Sequence, residues 1–280
     1  MNSSAQRSGA PSEAHERAQR PAAAVPSFER RALIAIEVDP SAPRDHPLAA
    51  GAYRVFELAL SLLALVLSLP LILLQWVIIK LDTPGPALFF QTRYGRSKIA
   101  RGADLAGRTD IVSATGKFEP DRLYWVPTTF QFVKFRTMYV DARERSPELY
   151  TCGYKSHEEF RAGFYKLDDD PRVTPAGRWL RRLTVDELPN LWSVVCGHIG
   201  IVGPRPEGPV FLPYYSAEEM QKFTVRPGIT GLAVIKGRGT LPIGGQIDWD
   251  LTYVRQRSVV VDLKIIVVTA WLVLTRRGAF

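Results

Sequence analysis

Two adjacent carboxylates, Asp186 and Glu187, are the residues whose types and spacing best suit chemistry in this sequence. Thr184 with Glu187 forms a capping-box pattern and Pro189 suits a first helical turn, which predicts a helix that starts here and runs to Gly197. Acids at a helix start can simply complement the helix dipole. Because neighbouring helical positions point about 100° apart, the two acids would have different tasks, one as a nucleophile and the other as a metal ligand.

Arginines surround this acid pair in the sequence. A short helix is predicted from Pro175 to Arg182, with Arg178, Arg181 and Arg182 on one side, and Arg205 lies in a proline-rich turn that follows. Guanidinium groups bind phosphate in a bidentate fork, and the start of a helix is itself an anion site. The combination indicates a phosphorylated substrate.

Two further cations lie on a predicted strand. The stretch "FQFVKFRTM" alternates apolar and polar residues and is expected to pair with an earlier strand around Leu88–Phe90. Lys134 and Arg136 would project from this pair. They either face solvent or contribute to an anion site, and the pattern does not choose between these roles.

Asp168 and Asp170 form an Asp-x-Asp pattern that is followed by Arg172. Such a pair holds a divalent metal in some enzymes that use nucleotide sugars. Acids before a proline more often cap a turn. The turn is therefore the favoured interpretation, and the metal site is the alternative.

The elements that must position these residues include an uncharged apolar run between Glu57 and Lys80. As a straight helix it would just cross a hydrocarbon core of about 30 Å. Pro70 near its middle removes a backbone hydrogen bond, and Ser68 is placed to satisfy a freed group. Basic residues flank both ends, so charge does not favour opposite sides of a membrane. The residues alone leave two options, a re-entrant hairpin and a kinked single span.

Composition limits the partners and the kinds of site that the chain can carry. The 280-residue chain has a net charge of +8 and 46% hydrophobic residues, which suits a folded protein that binds nucleic acid, an anionic membrane or phosphorylated substrates. The apolar run argues against nucleic acid. Cys152 and Cys196 are far apart, so neither a disulfide framework nor a zinc site is indicated.

The two ends of the chain differ from its centre. Residues 1–50 lack periodicity and are rich in Ala, Pro, Ser and charged residues, which predicts a disordered or linker arm. The apolar run 259–275 with Trp271, followed by Arg276 and Arg277, is expected either to lie at a membrane interface or to be buried in the core.

The chain resembles the bacterial sugar transferases, the monotopic polyprenyl-phosphate phosphoglycosyl transferases, from about residue 53 to 280. The resemblance is carried by an ordered set of motifs: "PGPALFFQTRYGR", "KFRTM", "DPRVTPAGRWLRRLTVDELPNL", "IVGPRP" and "VRPGITGL". It implies a mixed α/β, mostly helical monotopic membrane protein with interfacial amphipathic helices. Residues 51–81 would be a re-entrant membrane helix broken at Ser68 and Pro70, and residues 82–280 a catalytic domain on the cytoplasmic face of the bacterial inner membrane.

The resemblance also implies a reaction. Asp186 would attack the β-phosphate of a UDP-sugar, UMP would leave, and polyprenyl phosphate would take the phosphosugar from the carboxylate, as the first step of surface glycan synthesis. Glu187 would be the Mg²⁺ ligand. The substrate and phosphate contacts are expected among the neighbouring cations, namely Arg181, Arg205, Lys134, Arg136 and Arg172.

Some positions depart from the family pattern. The family usually has Asp where this chain has Glu57, and it has an acid where this chain has His198 in "GHIG". The loop from Ser97 to Gln131 is longer than usual. The missing acid motivates an alternative function, a catalytically inactive membrane-surface adaptor of a polysaccharide assembly system. The sugar and the pathway are left open, and so is a homodimer.

Overall fold

A computed structural model describes residues 33–39, 47–150, 153–164, 169–237 and 240–275. Most of the predicted arm, Asp168, Cys152 and Arg276–Arg277 lie outside these residues. The described part is mixed α/β with more helix than strand, as predicted. Its helices are α1 (Pro47–Asp82), α2 (Gly102–Leu105), α3 (Ala142–Arg145), α4 (His157–Ala162), α5 (Pro175–Leu183), α6 (Asn190–Val195), α7 (Leu232–Gly237), α8 (Ile243–Gln256) and α9 (Val259–Leu274).

The strands form three small sheets. They are β1 (Leu33–Glu37), β2 (Leu88–Tyr94), β3 (Lys98–Arg101), β4 (Ile111–Ser113), β5 (Leu123–Val126), β6 (Thr129–Phe135), β7 (Gly200–Val202) and β8 (Gly228–Thr230). β2 pairs with β6 in antiparallel register, with Phe89 opposite Lys134, so the predicted strand pair is confirmed. β7 and β8 are parallel, and they bring the two glycine- and proline-rich motifs together.

A four-stranded sheet in the order β3-β5-β1-β4 occupies the long loop. Its strand β1 comes from the segment that the sequence assigns to a linker arm, and this differs from the expectation. The short apolar run Leu33–Ile36 forms a strand by pairing with β4 and β5, which lie far along the chain. A small core of its own forms beneath the sheet, made of Ala35, Leu105, Ile111 and Tyr124.

Helix α1 runs without interruption through Pro70. The predicted break there is not confirmed. Ser68 Oγ donates a hydrogen bond to the carbonyl of Leu65 at 3.1 Å, whereas the carbonyl that Pro70 leaves without a helical donor is that of Val66. The helix also begins at Pro47, four residues before the predicted start at Gly51.

One stripe of α1 faces the rest of the protein. Glu57, Ser61, Gln75 and Ile79 are each at most 2% exposed, and they recur at the three- and four-residue spacing of a single helix face. The other faces are apolar and open, with Leu81 as much as 83% exposed. Among the described residues, this one helix is long and apolar enough to cross a membrane by length and composition.

The two ends of the stripe contact the same domain. Near the start, Glu57 accepts from the Ile201 N–H at 3.0 Å and from Arg226 at 2.9 Å. Near the end, Ile79 packs with Phe135 and Leu180. The part of the chain that follows α1 therefore holds both ends of the apolar run.

Helix α9 bears on the two placements that the sequence left open, because it has a buried side and an exposed side. Its Ile265 is 1% exposed and packs in the core with Val202 and Tyr253. Its opposite side leaves Val267 and Trp271 exposed. The helix therefore has one side in the core and one open apolar side.

Candidate active site

The acid pair lies in the turn between α5 and α6. The predicted capping box is wrong, because Thr184 adopts a left-handed conformation (φ 57°) that ends α5. Its N–H donates to the Arg181 carbonyl at 3.1 Å, so this residue closes the preceding helix and cannot cap the following one. Helix α6 then begins at Asn190.

Strand β6 holds this turn by two hydrogen bonds. The Phe135 N–H donates to the Asp186 carbonyl at 2.9 Å. The Val133 N–H donates to Asn190 Oδ1 at 3.2 Å. The backbone of the acid pair is thereby tied to the central strand pair on both sides. Asn190 was not predicted to belong to the site. Its side chain is buried, and in the sequence only its position after the two acids points to this role.

Asp186 is buried among charges. Its side chain is among the buried polar groups, at 8% exposure. Burial raises the pKa of this carboxyl, and the Glu187 carboxylate raises it further, while Lys134 and Arg181 act in the opposite direction. The net shift of the Asp186 pKa is upward. Burial and the neighbouring Glu187 carboxylate therefore outweigh the two cations, which offset only part of the cost of a second negative charge here.

Lys134 faces the acids from β6. Burial lowers the pKa of its ammonium group to about 8, Arg93 lowers it as well, and Asp186 and Glu187 oppose this shift. The ammonium lies 5.7 Å from the centre of the Phe89 ring, its cross-strand partner. The strand register thus places a cation beside the acid pair.

Two of the predicted arginines complete the cluster. Arg181 donates from Nε to Thr137 Oγ1 at 2.9 Å, and its pKa is lowered by burial while Asp186 raises it. Arg205 Nη2 lies 3.8 Å from Glu187 Oε1, and this arginine side chain is 43% exposed. The structure therefore brings Lys134, Arg181 and Arg205 to the acids.

The other two predicted cations are engaged elsewhere. Arg136 is 6% exposed and donates to the carbonyls of Thr83 (at 2.8 Å) and Pro84, so it closes the turn after α1. Arg172 binds both carboxylate oxygens of Asp170 at 2.8 and 2.7 Å. Their predicted role in substrate binding has no support from these contacts.

The Asp-x-Asp pattern behaves as a turn. Asp170 Oδ1 accepts from the Arg172 backbone N–H at 3.0 Å, and the Arg172 side chain contributes to the lowered pKa of the Asp170 carboxyl. This carboxylate is already bound to a cation of its own chain. The turn interpretation fits these contacts, and Asp168 lies outside the described residues.

His198 is exposed and stacks on Phe130, with ring centres 5.8 Å apart. The side chain therefore behaves as a turn residue at the surface.

Within the described ranges, no group of three or more His, Cys, Asp or Glu side chains has the arrangement of a metal site. Mg²⁺ has a different requirement, because it keeps several waters and usually binds one or two carboxylates together with substrate phosphates. The Asp186–Glu187 pair supplies carboxylate oxygens of that kind, and Glu187 is 25% exposed. This donor set fits Mg²⁺ once a phosphate is bound.

Comparison with known proteins shows the family of this chain. The family described as "Bacterial sugar transferase" matches residues 49–100 and 114–276. The exopolysaccharide production protein ExoY of Sinorhizobium fredii is 30% identical over 254 residues, which are 91% of this chain and 99% of that protein.

Two longer relatives carry activity names. The UDP-glucose:undecaprenyl-phosphate glucose-1-phosphate transferase of Caulobacter vibrioides is 35% identical over 81% of this chain and 71% of its own length. The undecaprenyl-phosphate glucose phosphotransferase of Komagataeibacter xylinus is 33% identical over 81% of this chain, and the match spans only 36% of that relative. The predicted family is confirmed: the chain belongs to the bacterial sugar transferases.

Proposed function

We propose that this chain is a phosphoglycosyl transferase that moves a sugar phosphate from a UDP-sugar to polyprenyl phosphate. The observation that carries the proposal is the juxtaposition of a buried acid pair with Lys134, Arg181 and Arg205. Such a site can hold a diphosphate and present a carboxylate to it. The names of the relatives agree with this substrate class.

In the first step, a carboxylate oxygen of Asp186 attacks the β-phosphorus of the UDP-sugar. The bond from that phosphorus to the bridging oxygen breaks, and UMP leaves with the bridging oxygen. In the second step, a phosphate oxygen of polyprenyl phosphate attacks the same phosphorus, and the Asp186 carboxylate is released. The products are polyprenyl diphosphate sugar and UMP.

The cations and the metal have separate tasks in this proposal. Lys134 and Arg181 flank Asp186 and would neutralise phosphate oxygens as the anionic nucleophile approaches. Glu187 would hold Mg²⁺, with Arg205 beside it. A bound Mg²⁺ supplies charge neutralisation on the diphosphate, which lowers the barrier to attack by an anion.

The proposed placement is at a membrane surface. The exposed apolar faces of α1 and α9 support membrane association, and Trp179 and Trp192 add exposed aromatic rings on α5 and α6. Because both ends of the apolar run of α1 contact one domain, both ends would lie on the same side of the membrane. We place that side in the cytoplasm, where UDP-sugars are made.

The experiment is UMP release by purified protein from a panel of UDP-sugars, with Mg²⁺ and polyprenyl phosphate. We expect metal-dependent release by the wild type with at least one donor and none by Asp186→Asn. Asp141→Asn is the matched control, because this acid has a side chain that is 46% exposed and pairs locally with Arg145. Release by Asp186→Asn at the wild-type rate would contradict the proposed nucleophile, and no release with any donor would favour the inactive adaptor.

A further inference from the structure

Three ionisable side chains form a cluster in the interior, away from the acid pair. Lys222 Nζ lies 2.9 Å from Glu207 Oε1 and 3.0 Å from Asp250 Oδ2. All three side chains are at most 2% exposed. We name Lys222, Glu207 and Asp250 the buried triad.

The charges of the buried triad are costly to bury. One ammonium faces two carboxylates, and burial raises the pKa of Asp250 to about 6, although Lys222 opposes that shift. A buried ion pair is weak grounds for stability, because desolvation offsets much of the attraction between its members. Stability alone is therefore a poor account of this cluster, and its contacts indicate another task.

The buried triad contacts the backbone of the turn that carries Arg205. The Arg205 N–H donates to the Asp250 carboxylate. On the other side of the turn, the Tyr94 N–H donates to the Glu207 carbonyl at 2.8 Å. The guanidinium of Arg205 reaches from this turn towards Glu187, at 3.8 Å.

Lys222 is the member that joins separate elements. It lies in the 3₁₀ helix Glu219–Thr224, Asp250 lies in α8, and Glu207 follows the arginine turn. An ammonium group has three donors, and Lys222 is also within hydrogen-bond distance of Tyr215 Oη, at 3.3 Å. Lys222 thus contacts both Glu207, next to the arginine turn, and Asp250 of α8. The Asp250 carboxylate in turn accepts from the Arg205 N–H.

We propose that Lys222 is a positioning residue: by binding Glu207 and Asp250 it fixes the backbone at Arg205 and keeps that guanidinium beside Glu187. The catalytic consequence rests on the proposed function, whereas the structural consequence does not. The two parts therefore need separate measurements.

The structural part is tested by hydrogen exchange of the full chain in detergent or lipid. Pro204 and Pro206 have no N–H, so a peptide across this turn reports mainly on Gly203, Arg205 and Glu207. We expect Lys222→Met to speed exchange in this peptide selectively. If that variant does not fold, Asp250→Asn serves the same purpose, because it removes a charge with almost no change of shape.

Arg161→Met is the matched control. Arg161 joins the same two elements as Lys222, since it binds Glu219 of the 3₁₀ helix and Asp248 of α8 at 2.8 Å. We expect this variant to leave exchange at the arginine turn unchanged. Unchanged exchange at the turn in the triad variants, or an equal increase in the Arg161→Met protein, would overturn the proposal.

The catalytic part is tested by a double-mutant cycle on kcat for UMP release. Lys222→Met should lower kcat about tenfold in the wild-type background and less than about twofold in an Arg205→Ala background, because the two residues act through one contact. Equal losses in both backgrounds would overturn a role through Arg205. If the wild type releases no UMP, the proposed function fails while the exchange result still decides the positioning role.

Discussion

At the scale of single residues, the charge balance around Asp186 depends on Lys134. Burial and Arg93 lower the pKa of this ammonium to about 8, so its charge is lost just above neutral pH. Asp186 has its pKa shifted upward, chiefly by burial, and must be ionised to attack. Ionisation of Asp186 should therefore set the acid limb of the pH profile, and deprotonation of Lys134 the alkaline limb.

We expect kcat/KM to rise with pH as Asp186 ionises and to fall as pH passes about 8, where Lys134 loses its proton. Lys134→Arg keeps a charge that does not titrate in this range, so the alkaline limb should move to higher pH even if the maximal rate is lower. The exposed Lys98→Arg protein is the control. An alkaline limb that stays at the same pH in Lys134→Arg would exclude Lys134 as its source.

Sequence reasoning predicted the residues of the acid site better than their neighbours. Asp186, Glu187, Arg181, Arg205 and Lys134 come together, since the motifs that carry them lie on adjoining elements. Residue type alone could not separate these cations from Arg136 and Arg172. Arg136 is bound to the carbonyls of Thr83 and Pro84, which approach it only in the folded chain. Arg172 is bound to Asp170, two residues away, and its residue type does not show that this local pairing occupies it.

At the scale of elements, α5 must lie close against the end of β6 to present Arg181. Gly177 makes this possible, because a Cβ at that position would lie 2.1 Å from the Thr137 carbonyl oxygen. Thr137 is also the residue whose hydroxyl accepts from Arg181. The same contact therefore sets the helix position and the arginine position.

Gly177→Ala should displace α5 and lower both stability and activity. We expect a loss of about 1–3 kcal/mol in the free energy of unfolding and about a tenfold lower kcat, measured by thermal unfolding and UMP release. Gly245→Ala in α8 is the control, because its Cβ would meet only ordinary contacts at 3.6 Å and beyond. A Gly177→Ala protein as stable and active as the control would show that α5 does not need this close approach.

Elements were predictable where their pattern is local. The strand pair β2–β6 and helix α5 follow from alternation and from the proline at the helix start. The helix start at Thr184 was predicted wrongly, because the closing of α5 uses this residue first. Strand β1 was missed because its hydrogen-bond partners lie in a distant loop.

At the scale of the whole molecule, α1 is held by the domain at both ends of its apolar run. Glu57 is bound by Arg226, and Ile79 packs under Leu180. A helix held in this way cannot place its ends on opposite sides of a membrane while both contacts persist. Helix α1 is continuous through Pro70, whereas the predicted hairpin is broken there; in either form we expect both ends to lie on one side.

Cysteine labelling in membrane vesicles tests this topology. Gly51→Cys and Leu81→Cys, each in a background without the native cysteines, should react with an impermeant maleimide from the same face. Both positions are exposed. The exposed Cys196 of the wild type marks the side of the catalytic domain. Labelling of the two positions from opposite faces would establish a single span.

The most direct test of the central claim is intact mass with peptide mapping after incubation with Mg²⁺ and the active UDP-sugar, in the absence of polyprenyl phosphate. We expect one phosphosugar adduct per chain, located on Asp186, which disappears when polyprenyl phosphate is added. UMP release without any adduct on Asp186, or an adduct that persists in Asp186→Asn, would contradict the account.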